Sequence, residues 1–239
     1  MNHIYYFSTL RGCDNNDGCT ANTPWRSLRK IQEISIVPGT QILLERGSIF
    51  ENEFLHLTGV SGTDKDPIVV DAYGDNCNLP VIHANGQGLW YQDYGKPLDN
   101  PLHVSKGWVS SAVCLFDCAY IEIRNIAVTN RAIDQSVPYN DLHAMDRTGV
   151  AVVAQNKGTL QHIYLDHMEV QDVDGNVYNK HMNNGGIYFT VFNPEDEAKT
   201  GIARYHDVRI ENCVVKNVSR WGIALAYTSY WDHFTTKEI

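Results

Sequence analysis

The sequence lacks the marks of a membrane protein and of a nucleic-acid-binding protein. No stretch of its 239 residues approaches the run of about 18 apolar residues that a membrane-spanning helix requires. Lysine and arginine total 19 against 28 aspartate and glutamate residues, which gives a formal net charge of −9. No basic stripe is present to neutralise phosphates, so we expect no nucleic-acid partner. We also expect no membrane association, and a monomer.

A secretion signal is absent from the start of the chain. Residues 1–10, MNHIYYFSTL, contain no charged segment followed by an apolar one. Two interpretations of the localisation stay open: the protein is cytoplasmic, or it is secreted and its leader has been removed.

The first third of the chain predicts short strands and one helix. Apolar Leu28, Ile31 and Ile34 recur at helical spacing and predict a short amphipathic helix over residues 26–34, which would cover the end of a sheet stack. Gly, Pro and Ser breakers separate runs of four to six residues that are typical of strands. These runs are residues 4–7, 41–44, 54–57, 67–72 and 80–84.

A polar loop between Cys13 and Cys19 has two interpretations. Its carboxylates could hold a calcium ion, but the spacing does not match an EF-hand, and a turn at Gly18 accounts for the composition. We therefore expect that no cofactor is required and predict no metal ligands, with calcium the one metal left open. A disulfide between the two cysteines is also left open.

Three segments of the second half of the chain repeat one another: residues 120–130, 162–172 and 207–217. A polar residue interrupts each copy at the same point, and we expect Asn125, His167 and Asn212 to stack at a tight turn, with the two amides bonding along the stack. The apolar positions that match are Ile121, Ile163 and Val208, then Ile123, Leu165 and Ile210, then Val128, Val170 and Val215.

A second series accompanies the first. Residues 112–115, 149–152, 186–189 and 222–225 are apolar runs opened by glycine or alanine, and they recur 36 or 37 residues apart. A near-constant period with short alternating strands predicts a solenoid. Alternation places two sets of side chains on opposite faces of these strands. The inward set is Val113, Leu115, Val150, Val152, Ile187, Phe189, Ile223 and Leu225. We expect the outward set to form an exposed face of small and apolar side chains. It consists of Cys114, Phe116, Ala151, Val153, Tyr188, Thr190, Ala224 and Ala226.

The first third of the chain carries a series of short motifs. They are Thr23, Pro24, Trp25, Ser27 and Leu28, Pro38 and Gly39, the run 42–44, Gly47, Phe50, Ser61 and Gly62, Pro67 and Ile68, Tyr73 and Gly74, and Pro80 and Ile82. With these motifs, residues 5–86 are similar to the N-terminal segment of right-handed parallel β-helix proteins of the pectate-lyase-like superfamily, although Thr40 stands where an aspartate is expected.

The resemblance implies an all-β, right-handed parallel β-helix with a short N-terminal capping helix, and polysaccharide lyase or glycoside hydrolase activity. It does not select one chemistry, because many activities share this scaffold. The outward face lacks the calcium-binding aspartates of pectate lyases, and the motifs of polygalacturonases are absent. Both assignments are therefore disfavoured.

We expect one β-helix domain over residues 1–239 with three parts. Residues 1–40 form the cap, 41–110 form the first irregular coils with an aromatic loop over 86–108, and 111–239 form regular coils. The aromatic loop is either a lid over a cleft or a patch packed on the sheet. After the run 222–227 no further Ile-x-Ile strand follows, which predicts that the chain is the N-terminal portion of a longer solenoid and that part of a catalytic set lies beyond residue 239.

The candidate site lies in two long loops, residues 131–148 and 173–185, because solenoid insertions collect on one face. Paired carboxylates serve a hydrolase, whereas a lysine or histidine base with an arginine serves a lyase. Aromatic rings beside polar loops suit a glycan cleft. The predicted catalytic residues are His143, Asp146, Asp174, Lys180 and His181; the predicted substrate-binding residues are Arg147, Tyr188, Arg220, Trp221 and Trp231.

These features favour a carbohydrate-active enzyme that cleaves glycosidic bonds in a polysaccharide or oligosaccharide. Hydrolysis is preferred over elimination, because the loops are richer in aspartate than in lysine and arginine, and the negative net charge does not attract polyuronates. Two alternatives stay open: a polysaccharide lyase acting by β-elimination, and a non-catalytic glycan-binding or adhesive β-helix.

Overall fold

The structure is a computed structural model that describes residues 3–93, 104, 106–132, 144–179 and 181–226, with residue 226 described for its backbone alone. These residues form an all-β, solenoid-like fold of short strands with almost no helix. The strands are β1 Ile4–Phe7, β2 Gln41–Glu45, β3 Ile49–Glu51, β4 Leu55–Thr58, β5 Ile68–Tyr73, β6 Val81–His83, β7 Leu89–Asp93, β8 Lys106–Phe116, β9 Ile121–Arg124, β10 Ala127–Asn130, β11 Asp146–Ala154, β12 Thr159–Asp166, β13 Glu169–Val173, β14 Gly185–Val191, β15 Arg204–Glu211, β16 Val214–Val218 and β17 Trp221–Ala226.

The strands build three parallel sheets, and the chain visits the sheets in turn. Sheet 1 has the order β1-β2-β5-β9-β12-β15, sheet 2 the order β16-β13-β10-β6-β3, and sheet 3 the order β17-β14-β11-β8-β4. Apart from β1 and the antiparallel strand β7, every third strand returns to the same sheet, so each coil stacks on the one before it. The predicted strands are found, and β3 and β7 are additions to them.

The predicted repeat registers are confirmed. In sheet 1, Ile121 pairs with Ile163 and Ile163 with Val208, and Ile123 pairs with Leu165 and Leu165 with Ile210. The same agreement holds for Val128, Val170 and Val215 in sheet 2. These apolar rows fill the interior, where the side chains of the described coils are almost all inaccessible to water.

The polar residue in each copy holds a turn, as predicted, but its partners differ from those expected. Asn125, His167 and Asn212 all have positive φ, between 49° and 56°, a conformation that asparagine and histidine tolerate better than most residues. The Nδ2 groups do not bond to one another. That of Asn125 donates to Asp71 Oδ1 at 2.8 Å, and that of Asn212 donates to Asp166 Oδ1 at 2.9 Å, because an ionised carboxylate of the neighbouring coil is a stronger acceptor than an amide.

The outward face of sheet 3 is not exposed, so that prediction is wrong. The alternation is correct, but Cys114, Ala151 and Val153 are buried in a second apolar cluster beneath Trp90 and Phe192. Tyr188 and Thr190 are buried as well, and Phe116 is half-buried. Two of the predicted inward residues, Ile223 and Leu225, are 50% and 67% exposed, because β17 is the edge strand of the described sheet.

The predicted aromatic loop is partly a hairpin. Strand β7 pairs antiparallel with the start of β8, which buries Trp90 and leaves Tyr91 and Trp108 exposed. The sequence missed this strand because its five residues, LWYQD, place three apolar side chains before two polar ones and show no alternation. Residues 94–103 and 105 of the predicted loop lie outside the described residues.

The N-terminal part has a shorter helix than expected. A 3-10 helix spans Leu28–Glu33, and it buries Leu28 and Ile31. In the polar loop, Asp14 accepts bonds from Ser27 and Arg29 among others, and Asp17 accepts from Thr23. Both carboxylates are thus engaged by protein donors. Cys13 and Cys19 are exposed free thiols, so the disulfide left open by the sequence is not formed. A four-residue helix, α1 Glu197–Thr200, lies in the acidic connection before β15.

Candidate active site

A buried carboxylate stands at the start of β11. Asp146 is 6% exposed, and its carboxylate accepts from two side-chain amides. Asn179 Nδ2 lies 3.0 Å from Oδ1 and 3.1 Å from Oδ2, and Asn184 Nδ2 lies 2.6 Å from Oδ1. The carboxylate is therefore removed from water and held by neutral donors.

The loop between β13 and β14 supplies both amides, and backbone bonds fix it against β11. The Oδ1 of Asn184 accepts from the backbone N–H of Arg147 at 3.0 Å and of Asn176 at 2.9 Å. Gly175 permits this approach, since a Cβ there would lie 2.6 Å from Asn184 Oδ1 and 2.8 Å from the carbonyl oxygen of Arg147. The orientation of the Asn184 amide is thus set by two backbone donors, and its Nδ2 must face Asp146.

Burial raises the pKa of Asp146 to about 6. Four weaker effects act in the opposite direction: the hydrogen bonds from Asn184 and Asn179, and the positive charges of Arg220 and Arg147. Desolvation of the charged form exceeds them because the amides are neutral. Asp146 therefore changes its protonation state around pH 6, where ordinary aspartates are fully ionised.

Two arginines lie beside this carboxylate. Arg147 donates from Nη1 to the carbonyl oxygen of Asp174 at 2.8 Å, and Arg220 donates from Nη1 to the carbonyl oxygen of Asn179 at 2.5 Å. Burial lowers the pKa of both guanidinium groups; the charge of Asp146 opposes this shift in each of them. The cluster thus has two cations around one buried carboxylate, which favours binding of an electron-rich or hydroxylated ligand over a metal cation.

Two atoms of this cluster lack partners. Within the described part of the chain, the buried Nε of Arg147 and the buried Oδ1 of Asn179 form no hydrogen bond. Asn179 is 3% exposed, so its orphan oxygen cannot bond to bulk water. Because the assignment of amide oxygen and nitrogen follows the surrounding bonds, rotation of this amide by half a turn would exchange its donor and acceptor faces.

The second loop aspartate is less buried. Asp174 Oδ2 accepts from the backbone N–H of Ala132 at 2.8 Å, which joins the two long loops where each leaves its strand. Its charge is also one of the two that oppose the lowered pKa of Arg147. Arg147 therefore links the Asp146 and Asp174 ends of the site.

Exposed apolar side chains lie next in sequence to members of the cluster. Met145, Tyr178 and Trp221 are each one residue away in sequence from Asp146, Asn179 and Arg220, respectively. The Arg220 guanidinium lies 5.4 Å from the centre of the Trp221 ring. The β7–β8 hairpin adds the exposed rings of Tyr91 and Trp108. An exposed rim of this kind beside polar groups is typical of a ligand-binding site.

The structure brings together five of the ten predicted site residues: Asp146, Arg147, Tyr188, Arg220 and Trp221. Tyr188 is 5% exposed and lies close enough to oppose the lowered pKa of Arg220. Asp174 is tied to the same group through Arg147, and the His181 carbonyl oxygen accepts from Gln92 Nε2 at 2.6 Å. His143, Lys180 and Trp231 lie outside the described residues.

The sequence reasoning missed Asn179 and Gln92. Neither side chain is titratable, so neither belongs to the residue types that predict acid–base chemistry. The signal that was present is the density of amides in one loop, where Asn176, Asn179, Asn183 and Asn184 fall within nine residues. A buried carboxylate needs hydrogen-bond donors, and side-chain amides can supply them where no cation contacts the carboxylate directly.

Among the described residues, no three His, Cys, Asp or Glu side chains cluster closely enough to hold a metal ion. The same residues include no helix long and apolar enough to cross a membrane.

The fold and the site define an all-β, parallel, solenoid-like protein with a buried carboxylate and two arginines inside an aromatic rim. The chain is 51% identical to the GH136 lacto-N-biosidase from Eubacterium ramulus, whose native crystal structure superposes with a TM-score of 0.92 over 99% of this chain and 38% of that one. The selenomethionine form of the same protein gives 50% identity and a TM-score of 0.92 over 100% of this chain and 38% of that one. A lacto-N-biosidase of Bifidobacterium longum subsp. longum is 38% identical over 259 residues, which cover 96% of this chain and 16% of that protein.

The chain thus spans less than two fifths of the length of the relatives it matches. No family model matches it. The predicted membership of the pectate-lyase-like superfamily stays a prediction.

Proposed function

We propose that this protein is a glycoside hydrolase that cleaves a glycosidic bond of an oligosaccharide, with lacto-N-biosides as its substrate class. The observation that carries the proposal is the similarity to a solved lacto-N-biosidase at 51% identity over 99% of this chain. That similarity includes both loops of the candidate site. It also favours hydrolysis over the lyase and binding alternatives.

The proposal includes the finer fold assignment. Three parallel sheets visited in turn by successive strands are the arrangement of a parallel β-helix. We assign the right-handed form, with the 3-10 helix at Leu28–Glu33 near its N-terminal end, on the resemblance of residues 5–86.

Within the site, we assign Asp146 a positioning role. A general acid must reach the glycosidic oxygen, but Asp146 is 6% exposed and both of its oxygens accept amide hydrogens. Its contacts instead order Asn179 and Asn184, and the backbone carbonyl oxygen of Asn179 in turn accepts from Arg220. Asp146 therefore fixes the loop whose Asn179 carbonyl oxygen holds Arg220, the residue before Trp221.

The remaining predicted roles are part of the proposal. Arg147, Arg220 and Trp221 bind the sugar through guanidinium hydrogen bonds and ring stacking, which suits the hydroxyl edge and the C–H face of a pyranose. Asp174 and His181 are kept as candidate catalytic residues, since hydrolysis needs a proton donor and a base or nucleophile. We propose no cofactor requirement.

The test is an assay of the full-length protein with an aryl lacto-N-bioside and with a lacto-N-biose-containing oligosaccharide. Chromatography of the products is expected to show one released disaccharide and one free leaving group. A conjugated unsaturated sugar that absorbs in the ultraviolet would assign a lyase instead. Saturable binding without turnover would assign the binding alternative.

Asp146→Asn distinguishes a positioning role from proton donation. We expect kcat to fall by no more than about tenfold, with the limbs of the kcat pH profile retained, since the variant keeps the shape of the side chain. A fall of about a thousandfold with loss of the basic limb, in a variant that unfolds like the wild type, would show that Asp146 is the general acid.

A further inference from the structure

Two exposed aromatic rings face each other across the β7–β8 hairpin. Tyr91 and Trp108 are directly opposite in the antiparallel register, with ring centroids 5.4 Å apart and an interplanar angle of 75°. They are 47% and 61% exposed. Because neighbouring strand residues point to opposite faces, the side chains on either side of Tyr91, Trp90 and Gln92, are buried beneath the hairpin. The outer face is thus an aromatic surface carried on a packed support.

The strand register places this surface beside the candidate site. Val109, the residue after Trp108, pairs with Trp90 in the hairpin and with Asp146 in β11. Neighbouring strands lie about 4.8 Å apart, so the hairpin adds a further strand on the side of β8 away from Asp146. Paired residues share a face of a sheet, so Asp146 lies on the buried face of Val109 and Trp90, whereas Arg147, which pairs with Ser110, lies on the face of Trp108 and Tyr91. The two rings therefore lie within two strands of the start of β11, on the face that carries Arg147.

Buried polar bonds fix the hairpin to the site loop. Gln92 Oε1 accepts from the backbone N–H of Asn183 at 2.9 Å and from its Nδ2 at 2.6 Å, while Gln92 Nε2 donates to the carbonyl oxygen of His181. On the other side, Trp90 Nε1 donates to Ser111 Oγ at 2.8 Å. The hairpin and the loop that carries Asn179 and Asn184 therefore form one ordered unit, and a ligand that contacts both would not have to order them.

We propose that Tyr91 and Trp108 form a sugar-binding subsite that stacks on one pyranose ring of an oligosaccharide whose neighbouring ring lies at the arginine pair. This inference rests on the proposed function. Large ring faces left in water beside a polar cluster match a ligand with an apolar C–H face and a hydroxyl edge. Asp93 and Lys106 lie opposite each other farther along the hairpin, and such charged neighbours suit hydroxyl groups better than a wholly apolar partner.

The experiment compares Trp108→Ala with the wild type in the hydrolysis assay and in calorimetric titration with the same oligosaccharide. We expect KM and Kd to rise about tenfold and kcat to stay within about twofold, since stacking contributes equally to the ground state and the transition state. Trp108→Phe should recover part of the affinity because it restores a ring face. Tyr120→Ala, which removes a partly exposed ring on the outer side of sheet 1, should change neither value.

The outcomes separate the subsite from the proposed function. If the wild type binds the oligosaccharide and Trp108→Ala binds it equally well, the subsite is overturned while the hydrolase proposal stands. If the wild type shows no turnover but loses affinity on Trp108→Ala, the subsite stands and the hydrolase proposal fails. Absence of binding by the wild type overturns both, and a change of molar mass in light scattering on Trp108→Ala would show that a second copy of the chain occupies the rings instead.

Discussion

The stability of the fold should depend on pH through one side chain, Asp146. Its folded-state pKa, raised by burial to about 6, lies about 2 units above the unfolded value of roughly 3.9. A raised pKa means that the folded state holds the proton more tightly. The resulting stabilisation is fully present below about pH 3.9 and is lost as the pH rises through about 6.

The magnitude follows from this difference. Two pKa units correspond to about 3 kcal/mol of unfolding free energy, and about 2 kcal/mol of it falls between pH 4.5 and pH 8. An asparagine side chain at this position cannot ionise. The unfolding free energy of Asp146→Asn minus that of the wild type should therefore increase by about 2 kcal/mol across this range.

The structure also explains why Asp146→Asn is accommodated. The new amide would turn its NH₂ group toward a neighbouring NH₂ donor, and one hydrogen bond would be lost unless that neighbour rotates. Asn184 cannot rotate, because its Oδ1 accepts from two backbone N–H groups. Asn179 can, since its Oδ1 has no partner among the described residues. Rotation of the Asn179 amide restores the bond. In the wild type, the same rotation would let Asn179 Oδ1 accept a hydrogen bond from the protonated carboxyl group of Asp146.

The assay is urea unfolding at about pH 4.5, 6 and 8, with linear extrapolation to water. Subtracting the wild type at each pH removes the contribution of other groups, such as His56, whose pKa is lowered by burial. Asp172→Asn is the control. Partial burial of Asp172 acts to raise its pKa, but the bonds from Arg131 and Asn217 outweigh this and lower it. Asp172 then contributes its full stabilisation at every pH above 4.5, so the unfolding free energy of Asp172→Asn minus that of the wild type should not change with pH. If the same difference for Asp146→Asn is also independent of pH, the reasoning is refuted.

Two further substitutions test how the site is held. Gln92→Leu should lower the unfolding free energy by about 2–4 kcal/mol and raise KM, because the change leaves buried donors and an acceptor unpaired. Gln41→Leu, at an exposed position of β2, is the control and should change the unfolding free energy by less than about 0.5 kcal/mol. Gly175→Ala should cost about 1–3 kcal/mol, since the new Cβ would lie 2.6 Å from Asn184 Oδ1. Gly222→Ala, with nothing within 4 Å of its Cβ, should be close to neutral, and equal effects of the two alanines would contradict the packing argument.

The repeating part of the fold could be predicted from the sequence because one physical rule acts on every coil. A strand with one face in a closed interior must alternate apolar and polar side chains, and the next coil must place apolar side chains at the equivalent positions. Ile123, Leu165 and Ile210 obey that rule, and their pairing is as predicted. The same rule gave the two faces of sheet 3 correctly.

What covers the outward face could not be predicted, because periodicity says which side chains share a face and nothing about what lies on it. Cys114 and Ala151 are small and apolar, which fits an exposed cleft floor and a buried layer equally well. The covering residues, Trp90 and Phe192, come from segments outside the repeat. The amide network around Asp146 was missed for a related reason, since it depends on contacts between positions 33 to 38 residues apart that follow no period.

The site lies where the repeat breaks down along sheet 3. A row of paired residues that we call the inner rung is apolar and β-branched in all four strands: Val113, Val150, Ile187 and Ile223. The rung that opens the strands varies instead, since Ser111 pairs with Thr148, Thr148 with Gly185, and Gly185 with Trp221.

Each change on the opening rung has a local consequence. Ser111 accepts the Trp90 indole N–H and so anchors the hairpin. Gly185 has a φ of 137°, and a Cβ there would lie 2.2 Å from the carbonyl oxygen of Trp221, so only glycine lets that strand pass so close. Trp221 then stands beside Arg220 at the rim. Stacking alone requires apolar residues only on the inner positions, so the variation at the opening positions supports the placement of the candidate site at this end of the strands.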